Sequence, residues 1–238
     1  MPFYSASGVD SSEPKLMEQQ HNIAPSSPLL KKISLFFSII GMPLFMSLYG
    51  LLGLTSVLTM EQIFPCPHPT LMMWNYIFLT TILPIILLII LKQYKLISNF
   101  DITDKDERTL PYFLTSVCFL IFSFSAYLYA PQSILLLPIS IGVILMVFLV
   151  LISYYWKISA HMAGIGTFVA ASTIISYFIG GNTMIILGLG LLATGCLGSS
   201  RAYLKVHTLG QIYAGFALGF ILMALPFYSS IFYFLTTY

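Results

Sequence analysis

Residues 132–155 read QSILLLPISIGVILMVFLVLISYY, and this stretch decides the fold. It has no charged side chain, and at about 1.5 Å per residue a helix of this length crosses the ~30 Å hydrocarbon core of a bilayer. Backbone groups inside lipid must hydrogen-bond within their own segment, so the stretch is predicted to be a helix rather than a strand. The chain therefore contains a membrane-spanning helix.

Comparable apolar runs lie on both sides of this stretch. The seven runs are 34–58, 70–91, 111–130, 132–155, 160–178, 182–199 and 208–234. Of the 238 residues, 58% are hydrophobic and 8% are charged, whereas soluble domains carry about 25% charged residues. We predict an all-α fold, a polytopic transmembrane helical bundle of about seven spans, with the lipid bilayer as its surroundings. A water-soluble fold is excluded, and nucleic acid is not an expected partner.

The charged residues are concentrated on one face of this bundle. If the chain crosses the membrane at every run, the N-terminus, 92–110, 156–160 and 200–207 lie on the same side. All ten basic residues then share that side: Lys15, Lys31, Lys32, Lys92, Lys95, Lys105, Arg108, Lys157, Arg201 and Lys205. The only charged residue on the opposite side is Glu61. The positive-inside rule would place the charged face in the cytoplasm.

Other sequence features have structural interpretations. Residues 1–30 are polar and lack the apolar core of a cleavable signal, so we expect a flexible tail before a single transmembrane domain at 31–238. Small residues indicate close helix packing; these are Gly188, Gly190, Gly195, Gly215 and Gly219. Cys66 and His68 are two potential metal ligands without a third nearby, which favours a turn over a metal site.

Three polar patches occur at span ends on the charged face. Residues 104–111 read DKDERTLP, residues 157–161 read KISAH, and residues 200–211 read SRAYLKVHTLGQ. Ionisable groups beside the hydrocarbon core are costly unless they are paired or solvated, so this concentration predicts a function, with an anionic headgroup as the natural ligand. The alternative is ordinary Lys and Arg anchoring, which leaves His161 and His207 unexplained.

The patches resemble the signature of the type 2 phosphatidic acid phosphatase superfamily. Its members share a Lys-x6-Arg-Pro element, a Pro-Ser-Gly-His element and a Ser-Arg-x5-His-x3-Asp element. Here residues 158–161 read ISAH, and residues 200–211 keep the spacing from Ser-Arg to His. The resemblance covers about residues 92–225, and residues 156–162, WKISAHM, are similar to a bacterial branch of small membrane phosphatase-like proteins. It implies a six-helix phosphatase-type core with an extra N-terminal span.

The chain departs from this signature at two places. Arg108 is followed by Thr-Leu-Pro instead of Pro, and Asp101 stands where the family has Lys, so Lys105 is the candidate substitute. Gln211 stands where the family has Asp. A neutral amide can orient His207, but it cannot stabilise an imidazolium as a carboxylate does.

The resemblance implies metal-independent hydrolysis of a lipid phosphomonoester or diphosphate through a phosphohistidine, without a cofactor. It assigns His207 as the nucleophile, His161 as the general acid and base, and Gln211 as the orienting partner of His207. The implied phosphate-binding residues are Arg108, Arg201, Lys105, Lys157, Ser159 and Ser200. Arg is suited to this because its planar guanidinium forms bidentate hydrogen bonds with phosphate oxygens.

Two other functions remain open at this stage. Asp101 and Gln211 are compatible with a non-catalytic protein that binds anionic lipid or phosphate. A small transporter is the third possibility, although no ionisable residue lies in the middle of a span, where transport sites are usually found. We expect an integral protein of a bacterial inner membrane, and its orientation is open, because bacterial relatives in this superfamily commonly face the periplasm.

Overall fold

The computed structural model describes residues 27–100, 102, 104, 106–179 and 183–237, and this part of the chain contains helices and no strands. The helices are α1 (Pro28–Ile40), α2 (Pro43–Thr55), α3 (Met60–Ile63), α4 (Pro69–Gln93), α5 (Thr109–Tyr129), α6 (Leu136–Tyr155), α7 (Ala160–Ile179), α8 (Thr183–Tyr203) and α9 (Leu209–Thr237). Helices α4 to α9 are long and apolar enough to cross a membrane, and α1 with α2 forms a bent pair. The predicted all-α membrane bundle of about seven spans is confirmed.

The N-terminal span differs from its prediction as one run over 34–58. Helices α1 and α2 are bent by 65° relative to each other. Pro43 explains the break, because it has no N–H to donate and forces Met42 before it into an extended conformation. Residues 28–30, which we expected in the flexible tail, begin α1. The remainder of that expectation, for residues 1–26, lies outside the described residues.

Packing contacts show that the bent pair crosses the bundle. Pro43, at the start of α2, lies beside Gly164, just after α7 begins at the charged end. Gly53, near the end of α2, lies beside Ile186, close to the start of α8 at the other end. Because α7 and α8 run in opposite directions, α2 passes from one end of the bundle to the other, and the pair counts as a seventh span.

Hydrogen bonds between loops confirm which connections share a face. At the charged end, Arg108 donates to the carbonyl of Ile158, and the backbone N–H of Ser159 donates to the carbonyl of Gln211. At the opposite end, the Ser133 hydroxyl donates to the Ile63 carbonyl at 2.7 Å. The predicted alternation of the spans therefore brings the three polar patches together.

Helices α7 and α9 pack closely against each other, and glycines make this possible. A Cβ atom added at Gly219 would collide with the Ala163 carbonyl, and one added at Gly215 would collide with the Ser159 carbonyl. The packing prediction is confirmed for these two glycines, and Gly190 also packs against a side chain of α7. It is wrong for two others on α8, Gly188 and Gly195, because added Cβ atoms there would meet open space.

Candidate functional site

Arg108 connects two of the polar patches. Its side chain is 2% exposed, its Nε donates to the carbonyl of Ile102 at 3.0 Å, and its Nη1 donates to the carbonyl of Ile158 at 2.9 Å. Ile102 has a φ of 43°, a left-handed conformation that a β-branched residue rarely adopts. The two carbonyls therefore fix the guanidinium, and part of its hydrogen-bonding capacity is used by the protein itself.

Ser159 connects the second patch to the third. It is fully buried, and its hydroxyl accepts a hydrogen bond from the backbone N–H of Met162 at 3.5 Å, in the manner of an N-cap. Its own N–H donates to Gln211, so the starts of α7 and α9 lie side by side. The predicted Ser159 is thus at the site, with its hydroxyl directed to the first turn of α7.

Gln211 contacts the ring of His207, and it also caps a helix, which the sequence analysis did not predict. Its Oε1 lies 3.3 Å from His207 Nδ1 and accepts the backbone N–H of Thr208 at 3.1 Å. The Gln211 N–H donates in turn to the Thr208 hydroxyl at 3.4 Å. This reciprocal pair is a capping box at the start of α9, for which Thr-x-x-Gln is the sequence signature.

The capping box also determines the tautomer of His207. Because Gln211 Oε1 accepts the Thr208 N–H, the atom that faces Nδ1 is the amide oxygen, which can only accept a hydrogen bond. Nδ1 must therefore carry the proton. The lone pair of the neutral ring then lies on Nε2, which is the form needed for nucleophilic attack.

Arg201 and His161 share a partner on α1. Arg201 is 1% exposed, and its Nη1 donates to the hydroxyl of Ser38 at 3.0 Å. The ring of His161 hydrogen-bonds with the backbone of the same serine. Sequence reasoning did not identify Ser38, although Ser34 and Ser38 lie one helical turn apart in an otherwise apolar segment, and both are buried.

The four central residues act on one another electrostatically. His161 interacts with the charges of Arg201, His207 and Arg108, and His207 interacts with both arginines. All four side chains are buried. The structure therefore brings the two predicted histidines and the two predicted arginines together at one end of the bundle.

The surroundings keep His207 neutral at physiological pH. Burial, followed by the positive charges of Arg201 and Arg108, lowers the pKa of His207 to about 4, and the hydrogen bond with Gln211 opposes this effect. Burial and the same two arginines also lower the pKa of Lys157, and nearby Asp104 opposes them. Lys157 therefore lies close enough to the cluster to sense its charge.

Two other predicted phosphate-binding residues have different outcomes. The Ser200 side chain is buried, but its hydroxyl donates to the Cys196 carbonyl of its own helix at 2.7 Å, so that hydrogen is not available to a phosphate. Lys105 lies outside the described residues. From the first patch, Arg108 therefore lies at the site. Asp104 lies close enough to interact with the charge of Lys157.

Helix starts add to the positive character of the site. Helices α5, α7 and α9 begin at Thr109, Ala160 and Leu209, and the loops that precede them are joined by the contacts described above. The first N–H groups of a helix have no partner within it, and the helix dipole is positive at this end. The arrangement therefore favours an anion.

Among the described residues, no group of three or more His, Cys, Asp or Glu side chains comes together. The chain matches no model of a protein family, no curated protein and no solved structure.

Proposed function

We propose that the chain is an integral membrane lipid phosphatase related to the type 2 phosphatidic acid phosphatases. It would hydrolyse a phosphomonoester or diphosphate on a lipid of a bacterial inner membrane, through a phosphohistidine and without a metal ion. The observation that carries this proposal is the burial of His161, His207, Arg108 and Arg201 in one cluster at the charged end. A neutral His207 as nucleophile and a second imidazole as acid and base, with two guanidiniums beside them, suit phosphoryl transfer, which depends mainly on positioning and charge stabilisation.

The first chemical step begins with neutral His207. Its Nε2 lone pair attacks phosphorus, a bond from nitrogen to phosphorus forms, and the bond from phosphorus to the leaving oxygen breaks. His161 begins as an imidazolium and donates its proton to that oxygen, so the ring becomes neutral and the lipid leaves as an alcohol, or as a monophosphate if the substrate is a diphosphate. Arg201 and Arg108 stabilise the charge on the nonbridging oxygens.

The second step regenerates the enzyme. His161, now without its proton, accepts one from water, and the resulting hydroxide attacks phosphorus as the bond to His207 breaks. Inorganic phosphate leaves, and both rings return to their starting protonation states. Gln211 holds Nδ1 throughout, but a neutral amide offers no charge to the imidazolium that forms, so slow turnover is expected.

A non-catalytic lipid-binding protein is the second candidate, and one observation favours it. Arg108 donates to two backbone carbonyls, which ties part of its guanidinium to the fold. Together with the amide of Gln211, this arrangement would keep an anion site while weakening catalysis. Such a protein would bind a lipid phosphate and release no phosphate.

One assay distinguishes the two candidates. The protein in detergent is given phosphatidic acid, phosphatidylglycerol phosphate and a polyprenyl diphosphate in the presence of a chelator, and released phosphate is measured. We expect His207→Ala and His161→Ala each to lower release by about 10²- to 10⁴-fold. The matched control is His68→Ala, since His68 is exposed at the other end of the bundle and should leave release unchanged.

The outcomes of this assay are unambiguous. Release that persists in His207→Ala would rule out the phosphohistidine. Binding of these lipids without any release by the unmodified protein would favour the non-catalytic candidate. An acid-labile phosphate on His207, recovered after rapid quenching, would support the enzyme directly.

A further inference from the structure

A small cavity opens beside His161 towards the inside of the bundle. It has a volume of about 50 Å³, and its lining includes His161, Tyr112, Ile102, Leu88 and Pro43. Tyr112 interacts with the charges of both Arg108 and Arg201. His161 and Tyr112 therefore join this cavity to the polar cluster, and the rest of its lining is mainly apolar.

A second cavity lies next to the first, in the centre of the bundle. The two cavities share Pro43, Met146 and Ala160 in their linings, and the second has a volume of about 120 Å³. Its lining follows α7 from Ala160 to Ile175, a distance of about 22 Å along a helix. We call these two adjacent cavities the passage; side by side they extend from His161 to Ile175, most of the way through the bundle.

The walls of this passage suit a hydrocarbon. Most of the lining side chains are apolar; examples are Met46, Leu54, Phe119, Leu145 and Phe168. An apolar cavity of roughly 150 Å³ in a protein core stays dry and takes up small hydrocarbons. A volume of about 120 Å³ therefore accepts part of an alkyl chain, and small movements of flexible side chains such as Met46 and Met146 would lengthen it.

We propose that this passage holds one hydrocarbon chain of the lipid whose phosphate binds between His207 and the two arginines. The inference rests on the proposed function and specifies its substrate: the phosphate must be attached to a long apolar chain. The position of His161 supports this occupant, because His161 lines the passage and also interacts with Arg201 and His207 at the site. A free phosphate would leave the passage unused.

Two glycines provide a matched pair of variants. Gly50, in the middle of α2, lines the passage, and a Cβ atom added there would meet nothing within 4 Å because it points into the open space. Gly188 on α8 also has nothing within 4 Å of an added Cβ, but it is not among the residues that line the passage. Gly50→Phe should therefore fill the passage, whereas Gly188→Phe adds the same side chain elsewhere.

The experiment uses the full chain in lipid nanodiscs and a phosphatidic acid with a photoreactive diazirine halfway along one acyl chain. After illumination, labelled peptides are identified by mass spectrometry. We expect labels on α2 and α7, reduced about tenfold by Gly50→Phe and unchanged by Gly188→Phe. Diacylglycerol with the same diazirine lacks the phosphate and should give little label there. Thermal unfolding of both variants checks that they fold.

The results separate this inference from the proposed function. Equal labelling of α2 and α7 by diacylglycerol, or labelling that Gly50→Phe leaves intact in a folded protein, would overturn the passage as the chain site. Labelling that follows the expected pattern without phosphate release from any lipid would uphold the passage and reject the enzyme. Release from short soluble phosphomonoesters as fast as from long-chain lipids would uphold the enzyme and reject the passage.

Discussion

Gln211 Oε1 faces Nδ1 of His207, so a charge placed on this side chain should change the rate and the pH dependence of the proposed reaction. Gln211→Glu adds a carboxylate and keeps the side-chain length that the capping box with Thr208 needs. Gln211→Asp would shorten the side chain by one methylene and is therefore less suitable. The carboxylate should raise the pKa of His207 from about 4 and stabilise the imidazolium. We expect kcat to rise about tenfold or more.

The pH profile of the same variant provides an independent check. Attack requires neutral His207, so the rate falls as the pH drops through the pKa of that ring. We expect this acid limb near pH 4 in the unmodified protein and at higher pH in Gln211→Glu. An unchanged limb together with an unchanged rate would mean that another group orients the ring.

Ser38 should be a positioning residue for both Arg201 and His161. Ser38→Ala removes the acceptor of the Arg201 hydrogen bond, and a hydrogen bond to a charged group contributes about 1.5–3 kcal/mol. We expect the affinity for phosphatidic acid to fall about tenfold or more, measured by equilibrium binding. Ser38→Thr keeps the hydroxyl and should retain most of the affinity for phosphatidic acid. Equal losses in both variants would instead indicate a packing defect in α1.

The glycine contacts between α7 and α9 hold the site together at the level of helices. Gly219→Ala would push a methyl group into the carbonyl of Ala163, so we expect the helix pair to separate slightly and the protein to lose about 1–3 kcal/mol of stability. Gly188→Ala has open space and should gain up to about 1 kcal/mol from helix propensity. Thermal unfolding in detergent measures both. Similar behaviour of the two variants would contradict the close packing.

The helices were predicted well from the sequence, because the backbone of a long apolar run in lipid can satisfy its own hydrogen bonds only as a helix. The break in the first span was missed, although Gly41, Met42 and Pro43 together indicate it, because hydropathy averages over such local geometry. The packing of Gly188 was predicted wrongly for a related reason. Composition identifies a small residue, but only the positions of neighbouring helices decide whether it faces one of them or open space.

At the scale of the molecule, alternation of spans was enough to predict that three distant patches converge. Motif spacing identified His161, His207 and Arg201, since each is fixed by the helix next to it. It did not identify Ser38, because α1 precedes the region of resemblance and reaches the site only through the bend after Gly41. The passage beside His161 is also a property of the whole bundle, and no single segment encodes it.

The distribution of charge over the whole molecule predicts its orientation. Exposed lysines such as Lys92 and Lys95 lie at the same end as the site, so the positive-inside rule places the site in the cytoplasm. In a chain with Cys118 and Cys196 replaced by Ser, we expect Cys66 to react with a membrane-impermeant maleimide in intact cells. In a second chain, Cys66, Cys118 and Cys196 are all replaced by Ser and Tyr155→Cys is the single cysteine. This cysteine should react only after permeabilisation, because Tyr155 is 92% exposed at the charged end. The reverse pattern would put the site outside the cytoplasm, and labelling of both from one side would contradict the seven-span bundle.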